Sequence, residues 1–282
     1  MSSKSPPDII YHYTSQDGLV KILKTKLLWA SHILYLNDQK EFQHAFELTK
    51  EKLKGALLNC KSTARRATLK RCHEELDHFE TCAAFVASFS EDGDLLSQWR
   101  GYGGDGNGFA IGFDRFILDE LAWSTGWRLG PCIYSPNMQS RKLSTLIAST
   151  IGPKFEGHPS YVNAEGVTTI FVQTPDSRLA GELSHLSPLL KHPAFSQERE
   201  WRLTLPENFP IEIHHRPGRS MLIPYCHFPL INTAHELNCI REIVIGPGPH
   251  SDLSKRSLQS LLKAIDLSGI ELRQSKVPYR TW

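Results

Sequence analysis

The sequence shows no strong imbalance of charge and no long apolar run. Its 32 basic and 30 acidic residues give a formal net charge of +2, so it lacks the basic excess of a protein that neutralises nucleic-acid phosphates. We therefore do not expect nonspecific nucleic-acid binding. No uncharged run approaches the roughly 18–20 apolar residues that a membrane span needs, and residues 1–8 have no apolar signal core. These absences favour a cytoplasmic protein that does not contact a membrane.

Several standard site signatures are also absent. None of the six cysteines forms a Cys-x-x-Cys pair, and their spacings match no zinc template. Scattered thiols in a long chain are typical of a reducing compartment, where they serve as small core residues. The chain has no Gly-x-x-x-x-Gly-Lys-Ser/Thr loop, no His-Glu-x-x-His and no Gly-x-Ser-x-Gly. We expect neither a P-loop site nor a bound metal.

What the chain does have is enough apolar material for a packed core. Of its 282 residues, 40% are hydrophobic and 22% charged, which is ordinary for a folded domain. Helical patterns come early and late, and strands are dispersed without regular βαβ alternation, which favours an α+β class over a doubly wound sheet. We predict one α+β domain over residues 1–282, with a mixed, mostly antiparallel sheet, flanking helices and a helical insertion over 39–80.

Local patterns predict where the individual elements lie. Tyr11-His12-Tyr13 ends a β-rich run, and Thr14-Ser15 after it are good helix caps. Asp38 with Glu41 fits a capping box at the start of a longer helix. Pro217-Gly218 is typical of a turn that joins two strands as a hairpin. Helical spacing also marks residues 115–121, 138–151, 178–190 and 253–265, whereas β-rich runs mark 27–30, 82–89, 108–113, 200–205, 211–215, 221–228 and 240–245.

The sharpest chemical pattern is Glu-Arg-Glu-Trp-Arg at residues 198–202. In a strand, alternation places Glu198, Glu200 and Arg202 on one face, with the two carboxylates about 7 Å apart at Cα. Carboxylates that close repel one another, which raises one pKa or draws in a cation. The alternative, given equal weight, is a solvated face on which Glu200 and Arg202 pair across the surface.

Two further strands carry polar side chains at their ends. His12 and Thr14 share a face and can act as hydrogen-bonding groups toward a ligand. The alternative makes His12 a half-buried strand residue and Thr14 a helix cap. Ser88 and Ser90 likewise place two hydroxyls on one face, and their alternative is a strand that leaves the core.

A polar, glycine-rich stretch at residues 91–107 is predicted to be a loop. It holds Trp99, Arg100 and Tyr102, so that a guanidinium stands between two aromatic rings where glycines allow close backbone approach. Arg100 suits a phosphate or diphosphate, and Trp99 or Tyr102 can stack on a planar ring. The alternative makes Trp99 a core anchor and Arg100 an ion-pair partner.

The ordered motifs of the chain resemble a known family. They are Tyr-His-Tyr-Thr at 11–14, Tyr-Leu-Asn-Asp at 35–38 with Glu-Phe at 41–42, Ser-Phe-Ser at 88–90, Leu-Ser-Gln-Trp-Arg-x-Tyr-Gly at 96–103, Lys-His-Pro-Ala-Phe at 191–195 with 198–202, and Pro-Tyr-Arg at 278–280. Together they look like the bacterial domain-of-unknown-function family two-nine-seven-one across nearly the whole chain. That resemblance implies no activity.

A second resemblance is to the ADP-ribosyltransferase-like fold, and it does imply an activity. His-Tyr at 12–13 resembles the end of that fold's first strand, Ser-x-Ser at 88–90 its serine segment and Glu-x-Glu at 198–200 its glutamate turn. The set mixes signatures of two branches of the fold. The resemblance implies a split sheet and NAD as the substrate. Glu200 would be the catalytic glutamate and Glu198 the acceptor-directing one, Ser88 would support the NAD pocket, and His12 would hold the ribose or carboxamide.

These arguments together predict an NAD-dependent transferase or NAD-consuming effector, a function that would suit a toxin or a phage-defence protein. Cleavage of the nicotinamide–ribose bond develops an oxocarbenium-like cation, which a fixed carboxylate stabilises in a dry site, while Arg100 or Arg202 would supply cationic donors to the diphosphate. The residues expected to bind NAD are His12, Tyr13, Thr14, Ser88, Ser90, Trp99, Arg100, Tyr102 and Arg202.

Two other functions remain open from the sequence. One is a metal-assisted phosphodiesterase or nuclease that uses Glu198, Glu200 and the acidic residues of 91–105. The other is a module that binds a nucleotide through Arg100 and the aromatic residues without chemistry. The sequence identifies neither the acceptor of ADP-ribose nor a regulatory partner.

Overall fold

The computed structural model describes residues 6–36, 39–76, 83–102, 108–151, 175–218, 220–231 and 239–278. Its strands are β1 (Ile9–Thr14), β2 (Leu27–His32), β3 (Ala84–Ser90), β4 (Phe109–Asp114), β5 (Arg128–Pro131), β6 (Glu200–Pro206), β7 (His214–Pro217), β8 (Leu222–Pro229), β9 (Ile240–Ile245) and β10 (Glu271–Gln274). Its α-helices are α1 (Gln16–Thr25), α2 (Gln39–Asn59), α3 (Thr63–Glu75), α4 (Leu96–Tyr102), α5 (Arg115–Ser124), α6 (Pro136–Ile151), α7 (Pro175–Leu186) and α8 (Ser251–Ala264).

The strands form one open sheet in the order β10-β9-β4-β1-β3-β2-β8-β7, with β6 paired to β3 and β5 paired to β6. All strand pairs are antiparallel apart from β9 and β10. The predicted α+β class with a mostly antiparallel sheet is therefore confirmed. The part of the chain that the structure describes contains no helix long and apolar enough to cross a bilayer.

The sheet divides at β3. One edge of this strand pairs with β6 over its full length, from Ala84 to Ser90. The other edge is shared: β1 meets it at Ser90, whereas β2 meets it at Phe85 and Val86. Because a strand has only two edges, β1 and β2 must diverge, and an opening is left beside residues 87–89.

The connection from β1 to α1 follows local sequence rules. The side chain of Ser15 caps the helix by accepting a hydrogen bond from the Gly18 amide at 3.2 Å, which satisfies one of the unpaired donors of the first turn. The helix buries its apolar stripe of Leu19, Ile22 and Leu23 against the sheet and ends at Lys26, whose φ of 58° is left-handed. The predicted cap and helix are confirmed, and this turn places the start of α1 beside the opening.

Helices pack on both faces of the sheet. Phe85, Ala87 and Phe89 of β3 enter a core built with α1, α5 and α8. Val86 points to the opposite face, where it joins a second core formed with α2, α3, α6 and α7. The predicted insertion over 39–80 contributes α2 and α3 to this second core, and its residues 77–80 lie outside the described residues. The division of the chain into domains stays a prediction.

Four elements differ from the sequence prediction. The stretch at 91–107 is not wholly a loop, because α4 occupies residues 96–102. β7 begins at His214 rather than at residue 211, although it pairs with β8 as the expected hairpin. β5 and β10 have only four residues each, which is too short for alternation to identify them. The capping pair Asp38 and Glu41 lies outside the residues whose side chains are described.

Candidate functional site

A cavity of about 610 Å³ lies in the opening between β1 and β2, a volume suited to a small ligand. Its walls come from β1, the first turns of α1, β2 and the middle of β3, with contributions from α4 and from the start of β6. Seven of the predicted site residues line this cavity: His12, Tyr13, Thr14, Ser88, Tyr102, Glu198 and Glu200. Residues from four distant segments are thus brought to one place.

Trp99 and Arg100 lie outside the cavity wall. Trp99 is fully buried on α4, where its indole N–H donates to Asp94 Oδ1 at 2.9 Å and its ring meets Tyr13 edge-on. Its faces are therefore not accessible for stacking on a ligand, and the core-anchor alternative describes it correctly. Arg100 is exposed on the same helix, and only Tyr102 of this group borders the cavity, with 58% of its surface exposed.

Two hydroxyls hold the loop after β3 in place. Ser90 donates from Oγ to the carbonyl of Glu198 at 2.9 Å and accepts from the amide of Asp92. Tyr13 donates to the carbonyl of Asp92 at 2.7 Å and accepts from the amide of Leu95. Neither hydroxyl is directed at a ligand by these contacts, so both residues fix the position of the wall that contains Glu198.

The strand predicted to include Glu198 begins only at Glu200. Residues 193–198 form a 3-10 helix, and Arg199 ends it with a left-handed φ of 43°. Glu198 and Glu200 therefore do not share a strand face, which corrects the predicted geometry. Their carboxylates nevertheless converge, because Lys191 Nζ contacts Glu198 Oε2 at 2.6 Å and Glu200 Oε2 at 2.5 Å.

Glu200 belongs to a buried ion cluster. It is 7% exposed, Lys191 5% and Arg202 1%. Arg202 donates from Nε to Glu200 Oε1 at 2.7 Å, from Nη2 to Oε2 at 3.1 Å and from Nη1 to the carbonyl of Pro188 at 2.6 Å. The predicted pairing of Glu200 with Arg202 exists, but inside the protein rather than across its surface. With these donors committed and no place in the cavity wall, Arg202 orients Glu200 and does not reach a diphosphate.

Electrostatics keep Glu200 ionised. Burial alone raises the pKa of its carboxyl, but the charges and hydrogen bonds of Arg202 and Lys191 outweigh burial and lower the pKa to about 2. Burial lowers the pKa of Lys191, yet the two glutamates raise it above its usual value. Neighbouring carboxylates are expected either to raise one pKa or to draw in a cation, and the structure shows the second outcome, with Lys191 as the cation. The amide of Glu200 donates to the Tyr134 hydroxyl at 2.8 Å, which fixes the start of β6.

His12 closes the opposite side of the cavity. Its Nδ1 lies 2.9 Å from the carbonyl oxygen of Ser88, and because a carbonyl only accepts, Nδ1 carries the proton and Nε2 is left as an acceptor. Burial lowers the pKa of His12 in spite of this hydrogen bond, so the imidazole is neutral at physiological pH. The hydrogen bond from His12 also satisfies the carbonyl of Ser88, a residue of β3 that pairs with neither β1 nor β2.

Sequence reasoning missed several residues of the site. Lys191 stands in the quoted motif at 191–195, but its role depends on the 3-10 helix that turns the chain back toward Glu200. Lys21 and Arg216 also line the cavity, and an isolated lysine on α1 or arginine on β7 carries no local signal. Tyr134 contributes through a contact to a backbone amide, which no side-chain pattern reveals.

Comparison with known proteins bears on one segment of the chain. Residues 98–203 match the family model described as Protein of unknown function (DUF2971). No curated protein and no solved structure matches the chain. These comparisons give no support to the ADP-ribosyltransferase-like resemblance. The matched segment contains Lys191, Glu198, Glu200 and Arg202, so the chain is similar to this domain-of-unknown-function family in the part that carries the buried ion cluster.

Proposed function

We propose that the protein cleaves NAD at the nicotinamide–ribose bond and transfers the ADP-ribose to an acceptor or to water. The observation that supports this proposal is the position of Glu200. Its ionised, buried carboxylate borders the same cavity as His12 and Ser88, although the three residues lie far apart in the sequence. This convergence is what the ADP-ribosyltransferase-like resemblance implies for a catalytic glutamate and its NAD pocket.

The wall of the cavity suits an amide-bearing ring. The Ser88 carbonyl points into the opening between β1 and β2, where His12 contacts it, and in an extended strand the N–H of a residue points to the same edge as its C=O. The amide of Ser88 is therefore directed at the cavity, which this residue borders. We assign this donor to the carboxamide or ribose of NAD.

The proposed reaction breaks the bond between ribose C1′ and the nicotinamide nitrogen. The bonding electrons leave with nicotinamide, which departs as a neutral ring, and positive charge develops on the ribose. A carboxylate with a pKa of about 2 is ionised throughout the physiological range and stabilises that charge. Because Arg202 and Lys191 hold Glu200 in place, little reorganisation is needed when the charge forms.

Glu198 is placed to act on the acceptor. Its side chain is 26% exposed and borders the cavity, so it lies closer to solvent than Glu200. Lys191 contacts both carboxylates and thereby couples the position of the acceptor-directing group to that of the catalytic one. An NAD-consuming activity of this kind would suit a bacterial toxin or a phage-defence effector.

A second candidate is a nucleotide-binding module without chemistry. It is favoured by the neutralisation of the cluster, because Lys191 and Arg202 balance the charges of Glu198 and Glu200. A metal-dependent nuclease is less well supported, since the Lys191 ammonium lies between the two carboxylates, where that mechanism places a metal. Asp92 and Asp94 of the neighbouring loop are hydrogen-bonded to Arg199, Trp99 and Ser275.

The proposal is tested by incubating the purified protein with NAD and following nicotinamide release by chromatography, with and without EDTA. We expect release that persists in EDTA and falls about 100-fold to 1,000-fold in Glu200→Gln, as on loss of a transition-state contact. The exposed Glu212→Gln is the matched control. Unchanged turnover in Glu200→Gln removes this carboxylate from the mechanism, and binding of NAD without any release by the wild type favours the module instead.

A further inference from the structure

One face of the β2–β8–β7 part of the sheet carries several polar and aromatic side chains, three of which belong to residues that border the cavity. Trp29 and Ser31 lie two residues apart on β2 and therefore share a face. Across from them, Trp29 pairs with His227 and Ser31 with Tyr225, and β7 extends the same face because His214 pairs with Tyr225 and Arg216 with Ile223. Trp29, Ser31 and Arg216 of this face line the cavity.

Arg216 differs from the arginines that form ion pairs elsewhere in the molecule. Arg128, Arg199, Arg202, Arg241 and Arg273 each contact a carboxylate. Within the described part of the chain, the one hydrogen bond of Arg216 goes from Nη2 to the neutral hydroxyl of Ser31 at 3.0 Å.

A guanidinium has several N–H donors and cannot lose its charge. Arg216 is partly buried at the wall of the cavity, and a partly buried cation without an anionic partner is unfavourable. Its remaining donors and its charge are therefore available to an anion in the cavity.

Lys21 supplies a second cation at the same wall. Its Nζ lies 5.4 Å from the centroid of the Trp29 ring and also forms an ion pair at 2.7 Å with Asp17 Oδ2, a carboxylate that borders the same cavity. The contacts run from Lys21 to Trp29, along β2 to Ser31 and on to Arg216, so the two cations flank one stretch of wall. Among the cavity-lining residues that the structure describes, Lys21 is the only lysine and Arg216 is the only arginine.

We propose that Arg216 and Lys21 bind the phosphates of a nucleoside diphosphate, either free or as part of a dinucleotide, with Trp29 as the aromatic wall beside them. This inference rests on the proposed function in that NAD contains such a diphosphate. It replaces Arg100 and Arg202 as the cationic donors. It also orients the substrate, because the phosphates lie against β2 and β7 and the reacting ribose lies toward Glu200.

The experiment measures binding of ADP and adenosine to the full chain by titration calorimetry. We expect ADP to bind more tightly than adenosine, and Arg216→Gln to weaken ADP binding by about tenfold or more while leaving adenosine unchanged. Lys21→Met should weaken ADP binding to a smaller extent, since its exposed ammonium is screened by solvent and salt. Arg216→Lys should restore part of the loss, because it keeps the charge but not the forked donors.

Arg241→Gln is the matched control, because Arg241 is an exposed arginine paired with Asp114 outside the cavity. Equal ADP affinity in the wild type and Arg216→Gln, or no ADP binding by the wild type, overturns the inference. If the protein cleaves NAD but does not bind ADP through Arg216, the proposed reaction is supported and this subsite is ruled out. If it binds ADP through Arg216 but does not cleave NAD, the subsite is supported and the proposed reaction is ruled out. If Arg216→Gln fails to fold, the ADP affinities of Lys21→Met and Arg216→Lys test the subsite instead. Wild-type ADP affinity in both variants then overturns the inference.

Discussion

Replacement of Lys191 by Met tests the buried ion cluster directly. Lys191 is 5% exposed and contacts both Glu198 and Glu200 within 2.6 Å. Methionine keeps much of the volume but removes the charge, so that Glu200 retains only Arg202 as a cationic partner. Removal of one partner from a buried ion pair costs about 3–5 kcal/mol when the remaining charge is left without compensation. Because Arg202 stays beside Glu200, we expect a smaller loss of about 1–3 kcal/mol.

The pKa of Glu200 gives a consistent magnitude. Its carboxyl titrates at about 2 instead of 4.5, and a shift of that size corresponds to about 3 kcal/mol of stabilisation by its two cationic partners, net of burial. Lys191 supplies part of this stabilisation, so its loss should raise the pKa of Glu200. In a domain of this size, a loss of about 1–3 kcal/mol lowers Tm by roughly 2–12 °C.

The assay is thermal and urea unfolding of Lys191→Met at neutral pH, compared with the wild type and with Lys70→Met. Lys70 pairs with Glu74 on the exposed surface of α3 at 3.5 Å, and such pairs contribute about 0.5 kcal/mol or less. If Lys191→Met loses no more stability than Lys70→Met, the cluster does not contribute as the geometry indicates. The assignment of Lys191 as the group that holds the two glutamates would then be wrong.

The remaining predictions concern pH and the core of α4. The ionised form of Glu200 stabilises the fold above its ordinary pKa of 4.5, and this stabilisation is lost as the pH falls toward 2. The difference in unfolding free energy between the wild type and Glu200→Gln should therefore shrink in urea titrations across that pH range, and a constant difference would contradict the ionised assignment. Trp99→Phe removes the hydrogen bond to Asp94 and should cost about 1–3 kcal/mol; unchanged stability with weakened ligand binding would instead make Trp99 a ligand contact.

The sequence predicted those features that depend on neighbours along the chain. The cap at Ser15, the helix after it and the hairpin between β7 and β8 follow from short-range patterns, and the structure contains all three. The α+β class follows from the order of such elements. α4 was missed because it has only seven residues and lies among glycines and polar residues that are typical of loops.

The candidate site was predicted only in part, for reasons of distance and geometry. Glu200, His12 and Ser88 were selected from their types and from motifs, and they line one cavity. The partners that set their chemistry were not selected. Lys191 reaches Glu200 only because a left-handed residue at 199 ends the 3-10 helix, and the backbone angle of a non-glycine residue cannot be read from its type.

The burial of Arg202 and the position of Arg216 were equally hidden in the sequence. Both residues lie on strands, where alternation predicts which face a side chain takes but not whether that face is covered. Arg202 is covered by the segment around Pro188, and Arg216 is brought to the cavity by pairing between strands β7, β8 and β2. The phosphate ligand stays a prediction, and we propose Arg216 and Lys21 as its donors in place of Arg100 and Arg202.

The division of the sheet at β3 has a consequence for any shortened form of the chain. The stretch from 98 to 203 contains Glu200 but none of the strands β1, β2 and β3 that wall the cavity. A polypeptide trimmed to that stretch would keep the acidic groups and lose the enclosure around them. Ligand binding in the cavity therefore requires the assembled chain, and we expect a fragment that retains only the family-matched portion to bind no ligand there.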